Sequence, residues 1–270
     1  MDQNQQIGLV VFDWAGTIVD YGSSAPSEVF GRVFSSVGIQ LTREEINKPM
    51  GMEKKAHIRE LLSCQSGREQ WQAQYGRPWN EEDVEQLYEK FEATLSQVVA
   101  EYSVPLPGAV ECLKTLREMG LKIGSTTGYN AQIMDRVIPK ATALGICPDC
   151  VVTPDLTGVG RPSPFMLYEC MHQLNVYPPC RVIKVGDTVL DMQEGKNAGA
   201  YAIGVLTGSN LLGLTQAEYE AMGSRELEER KKKAALRYLN SGADLVIDSI
   251  AELPQVVQML NHRMAKGEAL

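Results

Sequence analysis

Hydrophobic and polar positions follow two different periods along this chain. Ile7, Gly8, Leu9, Val10, Val11 and Phe12 form an unbroken apolar run that stops at Asp13, the pattern of a central parallel strand covered on both faces. Shorter runs of the same kind lie at 121–125, 150–153, 181–185, 201–205 and 244–247, separated by stretches of helical period such as 110–119 and 164–174. This alternation predicts an α/β fold with a doubly wound, Rossmann-like parallel sheet. From about 26 to 102 the rhythm breaks, with helix-period segments and no strand pattern. The division expected is an α/β core made of 1–22 and 103–270 and an inserted helical cap over 23–102. Val104, Pro105, Leu106, Pro107 and Gly108 form a stiff return segment suited to a hinge, and a second linker is expected at 21–26.

Ligands of open α/β sheets bind beyond the carboxyl ends of the strands. Asp13, Thr126, Thr127 and Asp187 all fall there. Each taken singly could be an ordinary helix cap; together they make a constellation.

Bulk composition narrows the partners. A net charge of −8 and a pI near 5.1 argue against a broad nucleic-acid surface, so an anionic small-molecule substrate must be held by local cations. The opening residues lack a basic, apolar leader and no stretch reaches membrane-spanning length, so cytoplasmic residence without membrane contact is expected. Six cysteines are scattered rather than framed as disulfides, and Cys147-Pro-Asp-Cys150, lacking a second pair or a nearby His, is expected to be a turn before a strand. The charged run 225–233 reads as a solvated amphipathic helix.

Phe12-Asp13-Trp14-Ala15-Gly16-Thr17 resembles the first motif of the haloacid dehalogenase superfamily. Thr127 resembles the second, Arg161 in Gly160-Arg161-Pro162 the third, and Gly186-Asp187-Thr188-Val189-Leu190-Asp191 the fourth, all in the right order. The resemblance implies that Asp13 is the nucleophile toward phosphorus and that Mg²⁺ sits on Asp13, the Ala15 backbone carbonyl and Asp187, a ligand set suited to a hard cation that keeps several waters. Thr127 and Arg161 would bind the phosphoryl oxygens. Asp191 is either support behind the site or simply a helix residue.

At Ala15 most phosphatases and mutases of the superfamily have a second Asp that protonates an alkoxide leaving group. The chain is therefore either a damaged phosphatase or an enzyme whose leaving group departs by another route. A carbon leaving group stabilised as an enamine needs no such acid, but it needs an amine. With a helix starting near Met52, Lys54, His57, Ile58 and Leu61 share one face, whereas Lys55 shares the other with Met52, Arg59 and Leu62. Lys54 is the better candidate amine, with His57 one turn away as a proton relay. Two solvated lysines are the alternative.

Loss of an acid at 15 and gain of an amine at 54 are joined in the phosphonatase family of this superfamily, which the chain resembles over essentially its whole length. Asp13-Trp14-Ala15-Gly16-Thr17, Pro49-Met50-Gly51 before Lys54, Ser125-Thr126-Thr127-Gly128-Tyr129 and Arg161 carry the resemblance. It implies cleavage of the carbon–phosphorus bond of phosphonoacetaldehyde in phosphonate degradation, through a Lys54 imine and an Asp13 aspartyl phosphate. Tyr129 and His57 would be positioning or proton groups, Met50 a neighbour of the imine or a packing residue, and the assembly a homodimer. A sugar-phosphate phosphatase or mutase and a non-catalytic scaffold of the same fold are the competing expectations.

Overall fold

The computed structural model describes residues 6–268; the first five residues, on which the expectation of no leader partly rests, lie outside them. Six parallel strands make one sheet in the order β3-β2-β1-β4-β5-β6, where β1 is Leu9–Phe12, β2 Lys122–Thr126, β3 Cys150–Val152, β4 Val182–Gly186, β5 Tyr201–Val205 and β6 Leu245–Ile247. All four residues of β1 are buried because both faces are covered. Successive side chains alternate between faces. Val10 and Phe12 join a large core with residues of α6 (Ala109–Glu118), α7 (Ala131–Ala143) and α13 (Leu253–Ala265). Leu9 and Val11 pack instead with Met166, Leu167 and Cys170 of α9 (Phe165–Leu174). A third cluster joins α10 (Val189–Ala198) to Tyr238 of α12 (Ser224–Asn240), and two short helices, α8 (Pro154–Thr157) and α11 (Gln216–Ala221), follow β3 and β5.

Between β1 and α6 come a 3₁₀ turn at Tyr21–Ser23 and five α-helices: α1 (Ser24–Ser36), α2 (Arg43–Asn47), α3 (Lys54–Ser63), α4 (Gln65–Tyr75) and α5 (Glu81–Tyr102). Their apolar faces meet each other: Phe30 of α1 stacks on Phe91 of α5 with ring centroids 4.2 Å apart and packs at a 34° tilt against His57 of α3 at 4.0 Å. The segment touches the sheet's own helices through α5 against α7, where Asn130 Nδ2 donates to Tyr88 Oη at 3.0 Å and also to Glu92. The two connecting strands of chain are tied together, Asp20 N to Val104 O at 3.1 Å and Leu106 N to Ile18 O at 3.0 Å.

Several expected boundaries move. The strand expected at 181–185 begins one residue later, because Arg181 closes a 3₁₀ turn. The linker expected at 21–26 is shorter: α1 starts at Ser24 and takes Pro26 into its first turn, where a missing N–H costs little. Helix α3 starts at Lys54 rather than near Met52, since the Glu53 carboxylate accepts from Lys55 N and Ala56 N and caps it there. Leu62, expected on the outer face with Lys55, is fully buried.

Phe91, almost fully buried between α1 and α3, should be a large contributor to the packing of the helical segment. Phe91→Ala is expected to lower unfolding free energy by about 3–5 kcal/mol, seen as a lower urea midpoint at an unchanged slope.

Candidate active site

Strand register collects the polar residues. Phe12 is level with Ser125 on β2 and with Val185 on β4, so Asp13, Thr126 with Thr127, and Asp187 leave the sheet side by side. Asp13 N donates to Val185 O at 2.9 Å. After Asp13 the chain turns at Gly16, whose φ is 81° and where a Cβ would lie 2.1 Å from Asp187 Oδ2. Only glycine allows the backbone to pass so close to that carboxylate.

Asp13, Asp187 and Asp191 offer carboxylate oxygens within 4.8 Å of one another. Burial pushes the carboxyls of both Asp13 and Asp187 above the ordinary range, and Asp13 and Asp191 push Asp187 further. Asp187 Oδ2 accepts from Asn210 N at 2.8 Å, and Ser23 Oγ lies 3.3 Å from it and 3.1 Å from Ala15 O. Buried carboxylates crowded beside a backbone carbonyl are a donor set for a hard divalent cation, so Asp13, Ala15 O and Asp187 fit the ligand role expected of them. Asp191 is fully buried, caps α10 through Thr188, and ion-pairs with Arg161 at 3.1 Å and Lys184 at 3.0 Å. Burial raises its carboxyl, but Arg161 and Lys184 outweigh that and hold it below the ordinary range.

Arg161 is not an exposed surface cation. Its side chain is 1% exposed, and its Nη2 lies 2.7 Å from Asp13 Oδ1 and 2.8 Å from Thr126 O. Thr127 is buried and its Oγ1 accepts from Tyr129 N at 3.1 Å.

From the helical segment, Lys54 is 7% exposed and its Nζ lies 5.1 Å from the Tyr129 ring centroid and 5.9 Å from that of Phe30. Burial lowers its pKa from 10.5 to about 8, against the opposing pull of Asp13 and Glu53. Lys55 points elsewhere, bonding the Glu85 carboxylate at 2.7 and 2.9 Å. His57 is fully buried, its Nε2 2.8 Å from Ile46 O. A carbonyl only accepts, so Nε2 carries the proton and Nδ1, which has no hydrogen-bond partner, presents a lone pair. Burial and then Lys54 hold His57 well below its usual pKa, so the ring is neutral at pH 7.

Asp13, Ala15, Met50, Lys54, Thr127, Tyr129 and Arg161 line one cavity of about 20 Å³; His57 and Asp187 stand behind that lining. Such a volume admits about one water molecule. Alongside it, sharing Lys54, Gly128, Tyr129 and Arg161, is a cavity of about 790 Å³. Gly128 and Gly51 mark two places where the two parts of the chain approach closely, since a Cβ at Gly128 would lie 2.8 Å from Met52 O and one at Gly51 2.6 Å from Thr188 Oγ1.

The haloacid dehalogenase-like hydrolase family matches residues 7–199, and a HAD-hydrolase-like pattern matches 158–253. The phosphonoacetaldehyde hydrolase of Bacillus cytotoxicus is 46% identical over 94% of this chain and 97% of its own. That of Bacteroides fragilis is 44% identical over 96% and 99%. The crystal structure of a phosphonoacetaldehyde hydrolase-like protein from Oleispira antarctica superposes with a TM-score of 0.95 at 35% identity, covering 98% of this chain and 96% of that one. This chain belongs to the phosphonoacetaldehyde hydrolase family of the haloacid dehalogenase-like hydrolases.

Several residues around the site in this family member were not singled out by sequence. Lys184 and Glu194 are fully buried behind Arg161. A lysine interrupting the apolar run Val182-Ile183-Lys184-Val185, and a glutamate one helical turn after Asp191, were available signals. Ser23 and Asn210 on Asp187, and Tyr238, whose Oη donates to Asp187 O at 2.6 Å, come from distant segments and carry no local signal.

With a pKa of about 8, roughly a tenth of Lys54 is neutral at pH 7, against about three in ten thousand for an ordinary lysine. Reductive alkylation of Lys54 by a small aldehyde should therefore rise with pH through about 8 and level off well before the surface lysines do. Because the folded protein holds this proton less tightly than the unfolded chain, stability should also rise between about pH 8 and 10.5. Lys54→Met should remove that part of the slope, as read by denaturant titrations at several pH values.

Proposed function

We propose that this protein hydrolyses the carbon–phosphorus bond of phosphonoacetaldehyde to acetaldehyde and phosphate, using Lys54 and Asp13 in turn. The observation that carries this reading is a buried lysine with its pKa lowered to about 8, lining the same small cavity as the strand-end carboxylate Asp13. The neutral Lys54 amine adds to the aldehyde and water leaves, giving an iminium. An Asp13 oxygen attacks phosphorus, the carbon–phosphorus electron pair moves into an enamine, and the iminium nitrogen is neutralised. Water cleaves the aspartyl phosphate; protonation of the enamine carbon and hydrolysis of the imine release acetaldehyde and restore Lys54. His57, with a free Nδ1, and Tyr129, whose Oη has no partner, are the proton and positioning groups assigned to these steps. Thr127 and Arg161 bind the phosphonate oxygens and Met50 packs beside the imine.

Mg²⁺ is the cation we assign to Asp13, Ala15 O and Asp187; bound there, it supplies the positive charge that lets a carboxylate approach an anionic phosphonate. Ala15 supports a carbon leaving group over an alkoxide, since its methyl side chain has no proton to donate. The helical segment 23–102 serves as a cap: the cavity of about 20 Å³ is lined from both the segment and the sheet, so movement of the segment away from the sheet makes room for substrate and its return excludes water. We also assign the family's cytoplasmic homodimer to this chain; among the described residues no helix is long and apolar enough to cross a membrane.

Borohydride added to protein, Mg²⁺ and phosphonoacetaldehyde should leave a reduced adduct on Lys54, lost in Lys54→Arg. Asp13→Asn should still form the adduct while phosphate release falls about a thousandfold or more. Chelation of the metal should likewise stop phosphate release. Phosphate release from sugar phosphates without any lysine adduct would overturn the assignment.

A further inference from the structure

Behind Arg161 lies a second charged layer that the reaction above does not use. Glu194 Oε2 receives Arg161 Nε at 3.1 Å, Lys184 Nζ at 3.1 Å and Thr126 Oγ1 at 3.0 Å. Thr126 Oγ1 in turn accepts from Arg161 Nη2 at 2.8 Å and from Lys184 Nζ at 2.7 Å. That hydroxyl is thus fully committed, donating once and accepting twice. Lys184 directs its remaining N–H to Asp191 at 3.0 Å. None of Lys184, Asp191 and Glu194 is exposed.

Asp13, Asp187, Asp191 and Glu194 bring four carboxylates into this buried region, faced by the cations Arg161 and Lys184 and, across the small cavity, by Lys54. Removing Glu194 or Lys184 changes the charge of this region by one in a place where water cannot compensate. The directions also matter. Asp13 pulls on the Nη2 end of the guanidinium, whereas Glu194 holds Nε at the other edge. To clamp a phosphonate, Arg161 must exchange Asp13 for substrate oxygens without rotating out of their plane; Nη1 on Asp191 and Nη2 on Thr126 hold one end of the guanidinium, and Glu194 on Nε holds the other edge in that plane.

We propose that Glu194, backed by Lys184 and Thr126, is a positioning residue that aims the Arg161 guanidinium at the phosphonate oxygens, and that it governs the phosphorus end of the reaction but not imine formation. The inference rests on the proposed function for the reaction assayed, but not for phosphate binding. Glu194→Gln in the Mg²⁺-loaded protein should weaken inorganic phosphate binding by about ten- to a hundredfold, the range seen when a supporting partner of a binding residue is removed. It should reduce kcat for phosphate release similarly, while the Lys54 adduct forms under borohydride at the native rate. Should Glu194→Gln not fold, Glu194→Asp, which keeps the charge but withdraws it from Nε, gives the same readouts. Unchanged phosphate affinity would overturn the proposal, and so would parallel loss of phosphate binding and adduct formation, the mark of a purely structural role. If the native protein forms no adduct at all, the imine mechanism fails, and the phosphate titration alone still decides the role of Glu194.

Discussion

Four carboxylates are buried together at the carboxyl end of a parallel sheet, and the surrounding structure has to make that tolerable. Isolated buried carboxylates would take up protons, and both Asp13 and Asp187 are driven in that direction. Arg161 and Lys184 answer part of the charge, the Asn210 amide and the hydroxyls of Thr17 and Ser23 surround Asp187, and the cation assigned above to Asp13, Ala15 O and Asp187 would offset more of it. The fold supplies the geometry cheaply, because strands paired in parallel deliver Asp13, Thr126 and Asp187 at one level without any long-range adjustment.

The amine side is solved by a different device. Lys54 sits on a helix whose own core is built around Phe30 and Phe91, and the same aromatic packing that makes the segment cohesive removes water from the ammonium. Packing of the helical segment and the lowered pKa of its lysine are thereby coupled: loosening the first would restore an ordinary, protonated lysine. Burial of His57 against Phe30 has a parallel effect, keeping the imidazole neutral with one nitrogen committed to Ile46 and the other available.

Sequence exposes features governed by local chemistry. Continuous apolar strands, the acid that terminates β1, the alanine two residues later and the face of α3 that holds Lys54 and His57 depend on spacing alone. Boundaries shifted where capping decided them, as when the Glu53 side chain set the start of α3 one turn's fraction later than periodicity suggested. Lys184 and Glu194 are intermediate: their presence in apolar surroundings is visible, but their partners are not, because the contacts span 33 and 58 residues. Ser23, Asn210 and Tyr238 reach Asp187 through tertiary folding only, and no periodicity marks them.

Two buried lysines lie in or behind this site, and the chemistry with an aldehyde proposed above requires that only one react. Lys184 has its three N–H bonds directed to oxygens of Thr126, Asp191 and Glu194, so no lone pair is presented and no substrate could displace three charged or polar partners at once. Lys54 faces aromatic rings, which stabilise a cation weakly and leave the neutral amine accessible within the cavity. At the third position where a cation is needed, beside Asp13, an arginine stands; a guanidinium can clamp two phosphonate oxygens but cannot form an imine at neutral pH. Under the proposed mechanism, selectivity for Lys54 would follow from what surrounds each cation rather than from the lysine side chain itself.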